Sequence, residues 1–243
     1  MPLLRDNNAL FIHIPRTGGT LLEKILGVHS DWREPKPELL FGKQVAKGHS
    51  VMLQHLTARQ IRDEGYLPRE RFTNLFKFTI VRDPFDRCAS LYSYWSGPQR
   101  WGDFESFLSH VENTLIRGAD DAEDDIFYQH VLPQSSYIFS ELDEPLVDRI
   151  CRFENLLHDL KSLFDHLEID TGILQVDQGR LYKKRDAYTR RYSQSAVKTV
   201  RRIYRKDFEL LNYTTRPSLY IHAWYRADNP ISSVARFIYR MVR

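Results

Sequence analysis

The chain has 243 residues, 42% hydrophobic and 28% charged, with 35 Lys/Arg against 32 Asp/Glu. That length buries a substantial core without disulfides or metal, and no apolar stretch is long enough to span a bilayer. A formal charge of only +3 gives a nucleic-acid partner little support.

Ala9 to Ile14 is a short apolar run of β-formers, Arg16 to Thr20 a hydroxyl-rich glycine turn, and Leu21 onward reads as helix. A strand, a turn with two small residues and a helix start build an anion site in α/β proteins. Backbone N–H groups point one way there, and the helix dipole favours negative charge. Arg16 adds a planar donor fork, and Thr17 and Thr20 add hydroxyls. The ligand indicated is a phosphate or sulfate, although Gly18-Gly19 alone equally fits an ordinary tight turn. The nucleoside-triphosphate loop carries lysine after its last glycine. Here Thr20 follows the glycines, and the dinucleotide fingerprint G-x-G-x-x-G is absent.

Residues 32–47, with Pro35 and Pro37, read as irregular. Val51 to Gln54 is expected as a short strand, and Thr57-Ala58-Arg59-Gln60 is a capping-box pattern. Leu75 to Val81 is a strong strand, ended by Arg82-Asp83-Pro84. Pro84 suits the first turn of a helix, and Phe85, Leu91 and Tyr94 of that helix are expected to face the core. Arg82, at a strand end, and Ser90, eight residues on, can converge on one anion; an Arg-Asp pair capping the helix is the plainer reading.

Phe104 to Leu115 is expected as helix, the run from Asp120 to Asp125 as an acidic surface loop, Leu146 to Phe153 as a buried strand and Leu156 to Leu167 as an amphipathic helix. Lys183 to Arg191 is a basic loop, and Ser193 caps a helix to about Leu211. From Arg180 onward there are sixteen Lys/Arg against four Asp/Glu, a balance that attracts a nucleotide, an anionic glycan or a membrane surface. Beyond Ser232, Val234, Phe237, Ile238 and Met241 share one helical face, with arginines elsewhere. Such a helix docks on its own domain or makes peripheral contact with an anionic membrane.

Pro15 to Thr20, Val81 to Pro84 and Ser90 together resemble the sulfotransferases that use 3′-phosphoadenosine 5′-phosphosulfate (PAPS), in the family-2 branch that contains many carbohydrate sulfotransferases. The resemblance continues in Gln54 to Arg59, in Arg152 to Leu156 and in Lys183-Lys184-Arg185, spanning roughly Phe11 to Tyr213. It implies an α/β, P-loop-like fold: a mainly parallel sheet flanked by helices, which the alternation of strands and helices also suggests. The chain reads as one domain, 1–243.

The resemblance implies that Arg16, Thr17, Gly18, Gly19 and Thr20 hold the 5′-phosphosulfate and that Arg82 and Ser90 hold the 3′-phosphate. Lys184 and Arg185 would close over the nucleotide. Lysine is the commoner residue at position 16; arginine neutralises a leaving phosphate but does not readily give up a proton. His55 is the first choice for general base, expected to project from the carboxyl edge of the sheet, where ligands collect. His49 is the competitor, and His13 reads as structural. The expected acceptor is a hydroxyl group on a carbohydrate, with aromatics such as Tyr92, Tyr94, Trp95 and Trp101 placed to stack or to fill the core. Basic residues around Arg100 permit an acidic glycan.

No cluster has metal-ligand spacing, and the chemistry needs none. Cys88 and Cys151 read as reduced core residues. No signal peptide precedes Phe11, so a cytoplasmic location is expected. Two other classes stay open: a phosphotransferase with a variant phosphate loop, and a non-catalytic binder of anionic glycans.

Overall fold

β1 (Leu3–Leu4) runs antiparallel to β2 (Ala9–Ile12) at one edge of a four-stranded sheet. The computed structural model describes residues 3–27, 33–46, 49–172, 174 and 192–217. Lys183 to Arg185 and the segment 229–243 therefore lie outside the described residues. Every residue of β2 is buried, as expected for a strand covered on both faces. Alternation divides it: Leu10 and Ile12 enter one apolar cluster, Ala9 and Phe11 the cluster on the opposite face.

Beyond α1 (Gly19–Ile25) comes a hairpin of β3 (Lys43–Ala46) and β4 (His49–Met52). The expected strand at Val51 to Gln54 thus starts two residues earlier and belongs to a separate two-stranded sheet. Leu53–His55 turns as a 3-10 segment into α2 (Ala58–Asp63). The Thr57–Gln60 capping box is formed in full: Gln60 N–H donates to Thr57 Oγ1 at 3.1 Å, and Thr57 N–H to Gln60 Oε1 at 3.0 Å.

After α3 (Arg69–Asn74), β5 (Phe76–Val81) lies parallel to β2, with Phe11 opposite Phe78. The helices α4 (Pro84–Tyr94), α5 (Gly97–Arg100), α6 (Phe104–Arg117), α7 (Asp125–Val131) and α8 (Gln134–Ile138) follow. β6 (Arg149–Arg152) completes the order β1-β2-β5-β6, parallel to β5. α9 (Leu156–His166), α10 (Gln194–Ile203) and α11 (Arg205–Leu210) close the described chain.

The fold is α/β, a mainly parallel sheet flanked by helices. Leu22 of α1 with Leu160, Leu163 and Phe164 of α9 covers one face. Ile61 of α2 with Tyr137 and Ile138 of α8 covers the other. A third apolar cluster joins α4, α6, α7 and α10 through Phe85, Phe107, Phe127 and Val200. Parallel pairing brings the carboxyl ends of β2 and β5 to the same edge, so the turns at 13–19 and 82–84 meet.

The acidic run is more than a loop. Asp124 caps α7, accepting the N–H of Phe127 at 2.9 Å, and Asp125 begins that helix. Cys88 and Cys151 are buried and free. Among the described residues, no helix is long and apolar enough to cross a membrane.

Candidate functional site

The turn after β2 is shaped by its own backbone. Arg16 takes a left-handed conformation (φ 68°) and Gly18 another (φ 105°), costly for arginine and free for glycine. The Thr17 hydroxyl donates to the Ile14 carbonyl at 2.8 Å; contrary to expectation, its proton braces the loop rather than reaching outward. Thr20 is exposed.

Both glycines are packed against. A Cβ on Gly18 would lie 2.9 Å from the Phe153 ring, and one on Gly19 would lie 2.2 Å from His13 Cδ2. The turn therefore has room for a histidine ring beneath it only because position 19 has no side chain.

Three arginines gather around this turn. Arg16 Nε donates to Ser90 Oγ at 3.2 Å, and its guanidinium lies 4.5 Å from the Tyr94 ring centre. Arg82 donates from Nη1 to the Arg16 carbonyl at 2.9 Å and from Nε to Asp86 at 2.8 Å, and stacks on Phe153. Arg87, 1% exposed, spends its guanidinium on the carbonyls of Pro15, Leu132 and His130, at 2.9–3.0 Å.

Carboxylates do not balance that charge. Arg16 and Arg87 have no carboxylate partner among the described residues. Burial, with Arg82 and Arg87 nearby, lowers the Arg16 guanidinium from 12.5 to about 10. Asp83 accepts the N–H groups of Phe85 and Asp86 as the cap of α4, and burial pushes its carboxyl up to about 7.

Neighbouring elements hold Arg82 in place. The buried amide of Gln134 accepts the Arg82 N–H and donates to its carbonyl, each at 2.8 Å, as a strand neighbour would. Glu154 accepts the Asp83 N–H at 2.7 Å.

A group of histidines packs against the loop. His13 is 4% exposed, and its Nδ1 lies 3.0 Å from Glu23 Oε1. Burial raises the Glu23 carboxyl, the charge and hydrogen bond of His13 beside it lower it, and the net position is well below the usual range. His55 packs edge-on against both His13 and His130, at 4.5 and 5.1 Å between ring centres.

His55 Nδ1 is 2.9 Å from the His13 carbonyl. A carbonyl only accepts, so Nδ1 carries the proton and Nε2 keeps its lone pair. Burial, with His13 and His130 close by, drives the imidazole well below 6.5, leaving it neutral and proton-accepting near pH 7. His55 reaches this place from the 3-10 turn after the hairpin, not from the edge of the main sheet. α7 secures that turn: Gln129 accepts the Met52 N–H at 3.0 Å and donates to the Met52 carbonyl at 3.1 Å.

The structure thus brings Arg16, Gly18, Gly19, Arg82, Ser90 and His55 together. It leaves His49 elsewhere, with Nδ1 2.9 Å from Asp125 Oδ1 and no contact to Arg16, His13 or His55 among the described residues. Lys184 and Arg185 lie outside the described residues. Tyr94, expected in the core, is 52% exposed; α4 ends there, and Tyr92 takes the buried place while Tyr94 lies against Arg16.

His13, read as structural, is buried between Glu23 and His55. Glu23, Arg87 and His130 had no signal of their own. Only the periodicity that places Glu23 one turn into α1, below Gly19, could have drawn notice to it. Among the described residues, no group of three or more His, Cys, Asp or Glu side chains could hold a metal.

A family model described as the sulfotransferase family matches residues 3–214, which include every site residue described above. No curated protein matches significantly, and neither does any solved structure.

Proposed function

The chain belongs to the sulfotransferase family, and we propose that it moves a sulfuryl group from PAPS to an acceptor hydroxyl carried by a carbohydrate. The observation that carries this reading is the unbalanced charge at the carboxyl ends of β2 and β5. Arg16, Arg82 and Arg87 converge there, and among the described residues only Arg82 forms an ion pair. Buried like charges repel, and an anionic ligand relieves that cost.

The donor, with a sulfate and two phosphates, fits such a site chemically, and the two glycines let the turn that would hold it pack directly on Phe153 and His13. In this reading Arg16 and the amides of residues 17–20 take the 5′-phosphosulfate. Arg82 takes the 3′-phosphate through Nη2, with the Ser90 hydroxyl beside it.

The donor supplies the activated sulfur–oxygen bond. His55 Nε2 takes the proton of the acceptor hydroxyl while its oxygen bonds to sulfur and the bond from sulfur to the leaving phosphate oxygen breaks. Arg16 stays protonated at neutral pH, so it stabilises the charge gathering on that phosphate and is not an acid. His13 and Glu23 hold the base from below.

Calorimetry tests the donor assignment. 3′-Phosphoadenosine 5′-phosphate should bind more tightly than adenosine 5′-phosphate or ATP, and Arg82→Ala should lose about 1.5–3 kcal/mol of that preference, the scale of a charged hydrogen bond. Equal affinities refute the assignment, and preference for ATP favours a phosphotransferase. Radiolabelled sulfate transfer across glycans, phenols, lipids and small alcohols tests the acceptor class.

A further inference from the structure

An acceptor that reaches His55 meets an aromatic wall. The His130 ring lies against His55, and the Trp95 ring centre lies 5.4 Å from that of His130. Two polar atoms of this wall, Trp95 Nε1 and His130 Nδ1, are buried without a hydrogen-bond partner. Buried indole N–H and imidazole groups ordinarily find one.

Beyond Trp95, the Arg100 guanidinium lies over two indoles, 5.2 Å from the Trp95 centre and 4.7 Å from that of Trp101. It borders a cavity of about 250 Å³ lined also by His110, Thr114 and Arg117. The acidic groups there are already engaged: Glu123 pairs with Arg117, and Asp124 caps α7. Arg100 has no carboxylate partner among the described residues. Burial lowers the His110 imidazole, so at neutral pH it is an uncharged donor. A guanidinium stacked on two rings is pre-ordered, and its N–H edge stays free for a planar anion.

We propose that this cavity is an anion subsite of the acceptor site, in which Arg100 binds a carboxylate or sulfate ester on the acceptor and selects acidic acceptors over neutral ones. The assignment rests on the sulfotransfer reading above. The rings of Trp95 and His130 run from Arg100 to His55 and connect the cavity with the base.

Calorimetry without donor tests it with three probes: a tetrasaccharide containing uronic acid, its neutral carboxyl-reduced counterpart, and a neutral tetrasaccharide bearing one sulfate ester. At least one charged probe should bind tenfold or more tightly than the neutral one, and which does so distinguishes carboxylate from sulfate. Arg100→Ala and Arg100→Gln should both abolish that preference and keep the wild-type affinity for 3′-phosphoadenosine 5′-phosphate. Equal binding of all probes, or a preference surviving in both variants, overturns the subsite. A preference lost only together with nucleotide affinity overturns it too, since Arg100 would then support the fold. If wild-type protein fails to bind the nucleotide, the sulfotransfer reading itself fails, a separate result.

Discussion

Gly19→Ala sets two effects of opposite sign against each other. Gly19 opens α1 with φ in the ordinary negative range, so helix propensity alone favours alanine by roughly 0.5–1 kcal/mol. The new Cβ, however, would lie 2.2 Å from His13 Cδ2 and 2.3 Å from Nε2. Ordinary contact would require the ring to retreat by about 1 Å or more. It has nowhere to go, because Glu23 holds Nδ1, Phe11 stacks at 5.2 Å and His55 meets its edge. Overpacking of this kind costs about 1–3 kcal/mol, and stretching the 3.0 Å contact between His13 and Glu23 adds more. The expected net loss is about 1–4 kcal/mol, read by urea denaturation. Gly27, with nothing within 4 Å but φ +66°, is the control that isolates backbone strain. The clash also predicts strong coupling: in a His13→Ala background, Gly19→Ala should cost little or nothing. Additive losses in that double-mutant cycle, or a Gly19→Ala protein as stable as wild type, would refute the reasoning.

His55→Ala should lower turnover by roughly a hundredfold or more with nucleotide affinity nearly unchanged, while His49→Ala is much milder; steady-state kinetics showing the reverse order make His49 the base. Arg87→Lys should destabilise the fold by about 3 kcal/mol or more, because one ammonium cannot replace three carbonyl contacts inside the protein, and a loss under 1 kcal/mol by denaturation contradicts that role. Asp83 has its folded pKa raised to about 7, so the folded state binds the extra proton and stability falls as pH rises from the unfolded value near 4 to about 7. Asp83→Asn, which keeps the cap acceptor, should therefore gain on wild type through that window and level off above it; a difference independent of pH between 4 and 8 would rule this out.

The phosphate turn, the Thr57 box and the Ser193 cap of α10 were legible because each is written within a few residues. Asp83 and Pro84 announce α4 for the same reason. The β3–β4 hairpin was not legible: Lys43 to Val45 are exposed, so no burial face imposes an alternating pattern. That omission misplaced His55, which arrives from the hairpin rather than from the sheet. Tyr94 was misjudged because periodicity marks a core face but not where the helix runs out. Arg87 and His130 escaped notice because their meaning is set across 43 residues of chain, where sequence spacing carries no information. The partners of His13 were not legible either, because one is a carboxylate on the next helix and the other a ring from the 3-10 turn after the hairpin.

The conformation of Arg16 bears on how this protein would respond to selection in the laboratory. Glycine at position 16 would relieve the left-handed backbone, worth about 1 kcal/mol or more, and would also remove a half-buried guanidinium that has no carboxylate partner among the described residues. A screen that rewards heat resistance alone would therefore favour losing the charge that the proposed chemistry requires. Libraries built to toughen this chain should hold position 16 fixed, or be scored by turnover as well as by survival.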